Sequence, residues 1–435
     1  MPENVIAVAL ILPDLTRGVA EEHLAELEKL IETAGGLVVD RVLAKRPRPD
    51  PATYVGSGKA EQIKSLVAKT GAKLIVFDDD LSPAQARNLE KITEVKVIDR
   101  SGLILDIFAG RARSREARTQ VELAQLEYML PRLTRAWTHL ERQAGGIGTR
   151  GVGETQLELD RRIIRNRIAR LKEELTKIER TRETQRKSRN AVFSVALVGY
   201  TNAGKSTLFN RLTSGSAEMA DKLFATLDAK SARAVFEMPR ETVVIDTVGF
   251  IRKLPHHLVA SFRSTMEEAV AADLVLHVID SSHPQFEDQR AVGEEVLRDL
   301  GVQMDRVIEV YNKADLTEPG VGSRGSGVGA HLVVPTPGSR LPTPGRCTVS
   351  ALTGRNIDRL IDIIRERELE NGEVIQLEIP HNDARVIAKL HDVAQVYEQR
   401  VTDRAMLLTA WIPRDAFHLF EAYAATGLLK PAKVS

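Results

Sequence analysis

The nine residues 199–207 carry the clearest chemical signal in the sequence. They follow the apolar run Phe193–Val198 and lead into a helical pattern at 208–212, so they join a buried strand to a helix. The pattern is GxxxxGKS, whose glycines let backbone N–H groups face phosphate oxygens at a helix N-terminus. Its lysine reaches the β and γ phosphates, and the serine hydroxyl ligates Mg²⁺. The predicted phosphate-binding residues are Gly199, Tyr200, Thr201, Asn202, Ala203, Gly204, Lys205, Ser206 and Thr207.

A second pattern, DxxG, follows the short apolar run Val243–Ile245. In this pattern the aspartate binds Mg²⁺ through water, and the glycine amide contacts the γ-phosphate. The residues are Asp246, Thr247, Val248 and Gly249. Next comes Phe250, where many GTPases have a glutamine that orients the attacking water. Phenylalanine cannot form that hydrogen bond, so we predict slow intrinsic turnover and a partner that supplies the missing geometry.

Two further patterns indicate that the base is guanine. NKxD follows the apolar run Val307–Tyr311. Its carboxylate accepts hydrogen bonds from guanine N1–H and the 2-amino group, a pair of donors that adenine lacks. The lysine stem packs over the base, and an SAL tripeptide after the next strand suits a contact to guanine O6. The residues are Asn312, Lys313, Ala314, Asp315, Ser350, Ala351 and Leu352. Four patterns in this order, each at a strand end, predict a site at the carboxyl edge of a parallel sheet.

Magnesium needs one more ligand, because a threonine of the first switch segment usually completes the coordination when the γ-phosphate is present. Thr213 is too near the P-loop helix and Thr242 lies in a predicted strand, which leaves Thr226. The segment assigned to the nucleotide site is Phe224, Ala225, Thr226, Leu227 and Asp228. The predicted Mg²⁺ ligands are Ser206, Thr226 and, through water, Asp246; the predicted catalytic residues are Lys205, Thr226 and Gly249.

Strand and helix patterns alternate through the first 110 residues, which predicts a parallel α/β domain at 1–110. The predicted strands are Val5–Leu12, Leu37–Leu43, Lys73–Phe77 and Val95–Ile98, and the predicted helices are Ala20–Thr33, Lys59–Lys69 and Ser82–Ile92. The first strand is too short to span a bilayer. It also lacks a preceding basic region, so it does not resemble a signal peptide. With one cysteine, Cys347, no intrachain disulfide is possible, and we expect a cytosolic protein.

The stretch 111–189 is basic, with 20 Lys and Arg against 11 Asp and Glu, whereas the whole chain of 435 residues has a net charge of +1. Two apolar series at helical spacing predict an antiparallel helical hairpin at 111–190. They are Leu123, Leu126, Leu130 and Leu133, then Ile164, Ile168, Leu171, Leu175 and Ile178. The predicted tip loop between them is Gly145, Gly146, Ile147, Gly148, Thr149, Arg150, Gly151, Val152 and Gly153.

The α/β alternation resumes after the hairpin and predicts a P-loop GTPase domain at 191–368. Within it, 319–346 holds 7 Gly and 5 Pro, which predicts a flexible insertion with a short strand at Leu332–Val334. Residues 369–435 alternate strand, helix, strand and helix, so we predict a small C-terminal α/β domain. The fold class is therefore α/β throughout, apart from the helical hairpin.

The sequence resembles the HflX family, which is related to translational GTPases and acts on the large ribosomal subunit. The resemblance covers nearly the whole chain. It is carried by GYTNAGKSTLFN at 199–210, LFATLD at 223–228 and DTVGFI at 246–251. Segments outside the GTPase domain are more specific: VFDDDLSPAQARNLEK at 76–91, DRSGLILDIFAGRARSREAR at 99–118 and GGIGTRGVGETQLELDRR at 145–162. Asp228-Ala229-Lys230 departs from the Asp-Pro-Thr that is usual in the family.

The resemblance implies a GTP-hydrolysing, Mg²⁺-dependent factor that binds GTP and GDP. It also implies contact with ribosomal RNA through residues 145–153 near the peptidyl transferase centre, dissociation of stalled or idle ribosomes, and a role in stress. We expect a monomer without a membrane span that the large subunit activates. Two alternatives stay open: a ribosome-binding factor that acts by occupancy, as in anti-association or hibernation, and a GTPase of large-subunit assembly.

Overall fold

The computed structural model describes residues 2–133, 152–187, 192–213, 224, 230–236, 238, 240–253, 263–317, 346–414 and 416–424. Within these residues the chain divides into two compact units. The first comprises the described residues of Met1–Arg182, Ala220–Asp228 and Ile251–Ser264. The second comprises those of Glu183–Met219, Ala229–Phe250 and Thr265–Ser435. Among the described helices, none has both the length and the apolar surface needed to cross a membrane.

The first unit contains a four-stranded parallel sheet with strand order β2-β1-β3-β4. The strands are β1 (Glu3–Ile11), β2 (Gly36–Lys45), β3 (Leu74–Phe77) and β4 (Lys96–Asp99). The helices are α1 (Arg17–Thr33), α2 (Ser57–Thr70), α3 (Pro83–Thr93), α4 (Arg100–Arg111), α5 (Arg115–Met129) and α6 (Val152–Lys187, up to Arg182 in this unit). The parallel α/β prediction is confirmed, and the Ser-Pro start of α3 forms a capping box between Ser82 and Gln85.

The sequence pattern does not predict helix α4. Eight of its residues are buried, from Arg100 to Phe108 with the exception of Asp106. Asp106, Ala109 and Gly110 are exposed, and only the first of these is polar, so the sequence shows no polar face at helical spacing. Asp99 caps its N-terminus by accepting a hydrogen bond from the Gly102 amide at 2.9 Å. A helix buried nearly all round cannot be recognised by amphipathic periodicity.

Helices α5 and α6 belong to the predicted hairpin. The apolar series of α6 is less exposed than its neighbours, and Leu171 is 1% exposed. Ion pairs connect the two helices: Arg115 with Glu174 at 2.6 Å, Arg167 with Glu122 at 2.7 Å and Lys172 with Glu127 at 2.8 Å. Val152 and Gly153, which we predicted in the tip loop, are instead the first residues of α6, because the helix-forming run after them extends back to Val152. Residues 145–151 lie outside the described residues.

The second unit contains a six-stranded sheet with strand order β10-β9-β8-β5-β7-β6, parallel except for the antiparallel β6–β7 pair. The strands are β5 (Val192–Gly199), β6 (Lys230–Arg233), β7 (Glu241–Asp246), β8 (Leu274–Asp280), β9 (Val307–Asn312) and β10 (Arg346–Thr348). The helices are α7 (Lys205–Leu212), α8 (Arg263–Ala271, from Thr265 onward in this unit), α9 (Phe286–Asp299), α10 (Ala314–Thr317) and α11 (Ile357–Glu370). Residues 319–345, including the strand predicted at 332–334, lie outside the described residues.

A small antiparallel sheet of order β11-β13-β12 ends the described chain. Its strands are β11 (Gly372–Pro380), β12 (Gln395–Val401) and β13 (Ala405–Pro413). Helix α12 (Ala384–Val393) lies between β11 and β12 in the sequence. We predicted strand, helix, strand and helix here, but the structure has two strands after α12 and only short 3₁₀ turns at 417–423. A turn closed by Thr402 and Ala405 folds the segment into two strands where one was predicted, and the described residues after β13, up to 424, contain no α-helix.

A buried ion pair ties β7 to the C-terminal part of the second unit. Arg240, next to β7, donates from its backbone amide and Nε to Glu368 Oε1 at 3.2 and 3.1 Å. Its guanidinium carbon also lies 5.3 Å from the Phe193 ring centroid and 5.7 Å from that of Trp411. Burial raises the pKa of Glu368 to about 7, although Arg240 opposes this shift.

Candidate functional site

The predicted phosphate-binding loop connects β5 to α7. Gly199 has a φ of +145° and Gly204 a φ of +91°. A Cβ atom on Gly199 would lie 2.1 Å from the Val278 carbonyl oxygen, and one on Gly204 would lie 2.2 Å from Asn312 Nδ2. Both glycines are therefore required by conformation and by space. The resulting turn brings the start of an eight-residue helix, whose first N–H groups have no acceptor within the helix, to the carboxyl edge of the sheet.

Lys205 is buried at the first position of α7. Its ammonium donates hydrogen bonds to the carbonyl oxygens of Gly199 at 3.0 Å and Tyr200 at 2.8 Å, so the side chain curls back over the loop. Burial lowers the pKa of Lys205 to about 8, while the charge of Asp246 opposes this shift. This position suits the binding of an anion, because an added phosphate would restore a counter-charge to a poorly solvated ammonium.

The pKa of Lys205 predicts how nucleotide affinity changes with pH. Between pH 7 and 9 the free protein loses the Lys205 proton, and a nucleotide phosphate must recover it, so GDP affinity should fall by about tenfold. Calorimetric titrations at pH 8.5 in buffers of different ionisation enthalpy should show uptake of a proton on binding. Guanosine, which has no phosphate, is the control. An unchanged GDP affinity across this range would contradict the assignment.

The DxxG segment lies beside the loop. Ser206 Oγ donates to Asp246 Oδ2 at 2.8 Å, and Thr247 Oγ1 donates to the Leu197 carbonyl at 2.7 Å. A Cβ on Gly249 would lie 2.9 Å from Lys205 Nζ, so only glycine allows this backbone to approach the ammonium. The structure thus brings Lys205, Ser206 and the 246–249 segment together, as the sequence predicts.

The paired oxygens of Ser206 and Asp246 fit a magnesium ion. A hydroxyl and a carboxylate are hard oxygen donors, and Mg²⁺ usually takes one or two such groups from the protein together with phosphate oxygens and water. Within the described residues there is no group of three or more His, Cys, Asp or Glu side chains able to hold a metal. A hydroxyl and one carboxylate leave the other positions around Mg²⁺ to phosphate oxygens and water.

Phe250 is buried, with 2% of its surface exposed. Its backbone joins the end of the DxxG segment to the phosphate-binding loop. The Phe250 amide donates to the Gly199 carbonyl at 2.9 Å, and the Phe250 carbonyl accepts from the Thr201 amide at 2.7 Å. Both the side-chain chemistry and its burial prevent Phe250 from orienting a water molecule.

The NKxD and SAL segments form one hydrogen-bonded network with the phosphate loop. Asn312 Nδ2 donates to the Ala203 carbonyl at 2.9 Å, and Asn312 Oδ1 accepts from the Ala351 amide at 2.9 Å. Ser350 Oγ donates to Asp315 Oδ1 at 2.6 Å. Asn312 is thus the link between the loop predicted to bind phosphate and the two segments predicted to read the base.

Two residues of this region were missed by the sequence analysis. Asp280 Oδ2 accepts from Lys313 Nζ at 2.7 Å, which holds the lysine stem predicted to lie over the base. Arg211, on α7, donates to two carbonyls of the SAL segment. Asp280 ends β8 and is in register with Asn312, so its position at a strand end was a usable signal. Nothing in the local sequence pattern distinguishes Arg211.

The switch-segment predictions are only partly covered by the described residues. Phe224 lies in the first unit, where its ring contacts Phe108 edge to face with centroids 4.6 Å apart. Residues 225–228, and with them the predicted ligand Thr226, lie outside the described residues. The assignment of Thr226 therefore stays a prediction.

Comparisons with known proteins agree with this arrangement. Models of three families match consecutive parts of the chain: "GTP-binding GTPase N-terminal" at 21–109, "GTP-binding GTPase Middle Region" at 111–189 and "50S ribosome-binding GTPase" at 194–313. The chain is 43% identical to GTPase HflX of Lacrimispora saccharolytica, over 95% of each protein. It is 46% identical to GTPase HflX of Magnetococcus marinus, over 92% of this chain and 90% of the relative.

GTPase HflX of Escherichia coli strain K12 is 44% identical and is matched over 87% of this chain and 86% of its own length. Identity at this level extends well beyond the phosphate-binding loop and includes both regions that precede it. The chain belongs to the HflX family of GTPases.

Proposed function

We propose that the protein binds GTP with Mg²⁺ at the carboxyl edge of the six-stranded sheet, and that GTP hydrolysis on the large ribosomal subunit drives the dissociation of stalled or idle ribosomes under stress. The observation that carries the nucleotide proposal is the Asn312 network, which joins the phosphate loop, Asp315 and the 350–352 segment. We further propose that the protein works as a monomer in the cytoplasm.

The phosphate end of GTP lies over the loop in this proposal. The residues of 199–207 donate backbone N–H groups, and Lys205 exchanges its carbonyl partners for β- and γ-phosphate oxygens. Ser206, Thr226 and, through water, Asp246 would hold the Mg²⁺ ion, which would neutralise developing charge on the phosphates. Gly249 provides the amide for the γ-phosphate, and its lack of a side chain leaves room for that contact.

The base end of GTP lies against 312–315 and 350–352. Asp315 accepts from guanine N1–H and the 2-amino group, and the Lys313 stem, fixed by Asp280, lies over the ring. Ser350 Oγ holds the Asp315 carboxylate in place through its 2.6 Å hydrogen bond. A site built to hydrogen-bond one base rejects a base with the wrong donors, because its own groups are then left unpaired.

Hydrolysis is slow in the isolated protein, because Phe250 cannot position the attacking water. The large ribosomal subunit supplies or organises the missing geometry. Residues 111–189 carry an excess of nine positive charges, which favours contact with RNA phosphates and makes the affinity dependent on salt. Residues 145–153 contact ribosomal RNA through shape and backbone, since this segment has no aromatic side chain to stack on a base.

The first test is GTP hydrolysis by the purified protein alone, with large subunits and with small subunits, with ATP in parallel. We expect slow GTP turnover alone, strong stimulation by large subunits only, and no comparable ATP turnover. Splitting of 70S ribosomes is then followed by light scattering with GTP and with a non-hydrolysable analogue. Absence of binding to large subunits would overturn the proposal.

The burial of Phe250 also favours a second candidate, a factor that acts by occupying the large subunit. In this candidate GTP orders the protein and hydrolysis is incidental. GTP-dependent binding to large subunits without stimulated hydrolysis, and without splitting, would support occupancy. A GTPase of large-subunit assembly, the third candidate, would prefer immature to mature large subunits in the same binding assay.

A further inference from the structure

We propose that Arg211 is a positioning residue for guanine specificity, because it fixes the peptide group whose N–H faces guanine O6. Arg211 lies on α7, beyond the phosphate-binding motif, and belongs to none of the four sequence patterns. The proposal rests on the guanine-nucleotide binding proposed above and adds the residue that controls recognition at position 6 of the base.

Arg211 connects α7 to the SAL segment through two hydrogen bonds. Its Nε donates to the Ala351 carbonyl at 3.0 Å, and an Nη donates to the Leu352 carbonyl at 2.5 Å. The planar guanidinium offers several donors in a fixed arrangement, so it can hold two consecutive carbonyls in one orientation. We call these two hydrogen bonds from Arg211 to residues 351 and 352 the clamp. Because α7 starts at Lys205, the same helix carries both the lysine predicted to bind phosphate and the arginine of the clamp.

The clamp sets the direction of a specific N–H group. The Ala351 carbonyl and the Leu352 amide belong to the same planar, trans peptide unit, so they point in opposite directions. Fixing the carbonyl on Arg211 therefore turns the Leu352 N–H away from Arg211. In the part of the chain that the structure describes, the Leu352 amide donates to no protein acceptor, whereas the Ala351 amide donates to Asn312 Oδ1.

The opposite side of the segment is held by the residues that read the rest of the base. Ala351 is tied to Asn312, and Ser350 to Asp315, so the 350–352 backbone lies between Arg211 and the NKxD segment. The short strand β10, three residues long, ends two residues before Ser350 and gives the segment only limited support from the sheet. Arg211 supplies support from the helix side.

Recognition of position 6 and recognition of position 2 can be measured separately. The Leu352 N–H needs a good acceptor at position 6, which guanine O6 provides and the sulfur of 6-thioguanine provides poorly. Asp315 needs the 2-amino group, which inosine nucleotides lack while keeping O6 and N1–H. GDP, 6-thio-GDP and IDP are therefore a matched set of probes.

The experiment compares the wild-type protein with Arg211→Met, which keeps the apolar stem and removes the donors. Arg298→Met, at an exposed arginine near the end of α9, is the control. In R211M we expect GDP affinity to fall about tenfold and 6-thio-GDP affinity about twofold, so the preference for oxygen at position 6 falls about fivefold. The ratio of IDP affinity to GDP affinity should stay within about twofold of the wild-type ratio. The preference of Arg211→Lys for oxygen at position 6 should lie between those of wild type and R211M, because a lysine ammonium can donate to only one of the two carbonyls with good geometry.

The outcomes separate this inference from the proposed function. If wild-type protein binds GDP and R211M weakens all three nucleotides equally, or none of them, Arg211 has no role in reading position 6. If wild-type protein does not bind GDP, the proposed function fails first. Thermal unfolding of R211M and R298M without nucleotide shows whether either variant has lost its fold, and an R211M that melts like wild type keeps the test decisive.

Discussion

Replacing Asp315 by asparagine is expected to convert the protein from guanine to xanthine nucleotides. In the proposed binding mode the carboxylate accepts from guanine N1–H and the 2-amino group, so two hydrogen bonds to a charged acceptor are lost in the variant. GDP affinity should therefore fall by between about 10² and 10⁴ fold. Xanthine carries an oxygen where guanine has the 2-amino group, and the asparagine amide can donate to it, so affinity for XDP should rise. Binding of GDP and XDP by titration calorimetry measures both changes.

The substitution should leave the local fold intact. Ser350 Oγ donates to Asp315 Oδ1 at 2.6 Å, and an asparagine carbonyl can accept the same hydrogen bond. Asp299→Asn, at the last residue of helix α9, is the matched control and should change neither affinity. If Asp315→Asn binds GDP as tightly as wild type, Asp315 does not read the base.

The same variant distinguishes the proposed function from its alternatives. With D315N, XTP is used by this protein alone in a mixture that contains other GTP-dependent factors. A hydrolysis-driven splitting factor should split ribosomes only when XTP is present. With a non-hydrolysable xanthosine analogue, splitting by such a factor should stop after one round. Protection of separated subunits that needs XTP but not its hydrolysis would support occupancy.

Replacing Arg100 by methionine is expected to destabilise the first unit by about 3–5 kcal/mol, because it leaves a buried carboxylate without its main partner. Arg100 is 1% exposed and Asp78 2% exposed, and Arg100 Nη1 donates to Asp78 Oδ1 at 2.7 Å. Arg100 also pairs with Glu26 and donates from Nε to the Arg252 carbonyl at 3.2 Å. Denaturant unfolding measures the change in the free energy of unfolding.

The surrounding charges explain why the loss is expected to be large. Burial opposes ionisation of Asp78, but Arg100, Lys253 and Arg252 together hold its pKa below the ordinary value for aspartate. A carboxyl with a lowered pKa adds stability above its unfolded pKa of about 4, and this stability is lost as the pH falls. The wild-type protein should therefore lose stability from this pair below about pH 4, and R100M should lose less over the same range.

Two further variants control the Arg100 result. Arg17→Met removes an exposed pair with Glu21, whose side chains are 79% and 52% exposed, and should cost less than about 1 kcal/mol. Adding Asp78→Asn to Arg100→Met removes the stranded charge and should recover part of the loss. A cost below about 1 kcal/mol for Arg100→Met alone would show that Asp78 is adequately held by Arg252 and Lys253.

Much of the candidate site could be predicted from the sequence because its parts are local. The phosphate loop must follow a buried strand and open a helix, and this required order is visible in a few residues around Gly199 and Lys205. The DxxG and NKxD segments also end apolar runs, and parallel strands bring their carboxyl ends to one edge. The Ser82 cap of α3 is local in the same way, since cap and capped amide lie three residues apart.

Other features were decided only by the tertiary structure. Helix α4 escaped prediction because residues buried on nearly all sides carry no amphipathic period. After α12 the structure has two strands where one was predicted, because β13 pairs with both β11 and β12 and these long-range hydrogen bonds are not visible in the local pattern.

Long-range contacts of arginine side chains show the same limit most clearly. Arg211 reaches Ala351 across 140 positions, Arg240 reaches Glu368 across 128, and Arg100 reaches the Arg252 carbonyl across 152. The sequence by itself determined the α/β class, the order of the nucleotide motifs and the resemblance to the HflX family. The choice of partner for each arginine depended on which elements folding brought within 3 Å or so, because an arginine can pair with any carbonyl or carboxylate that arrives there.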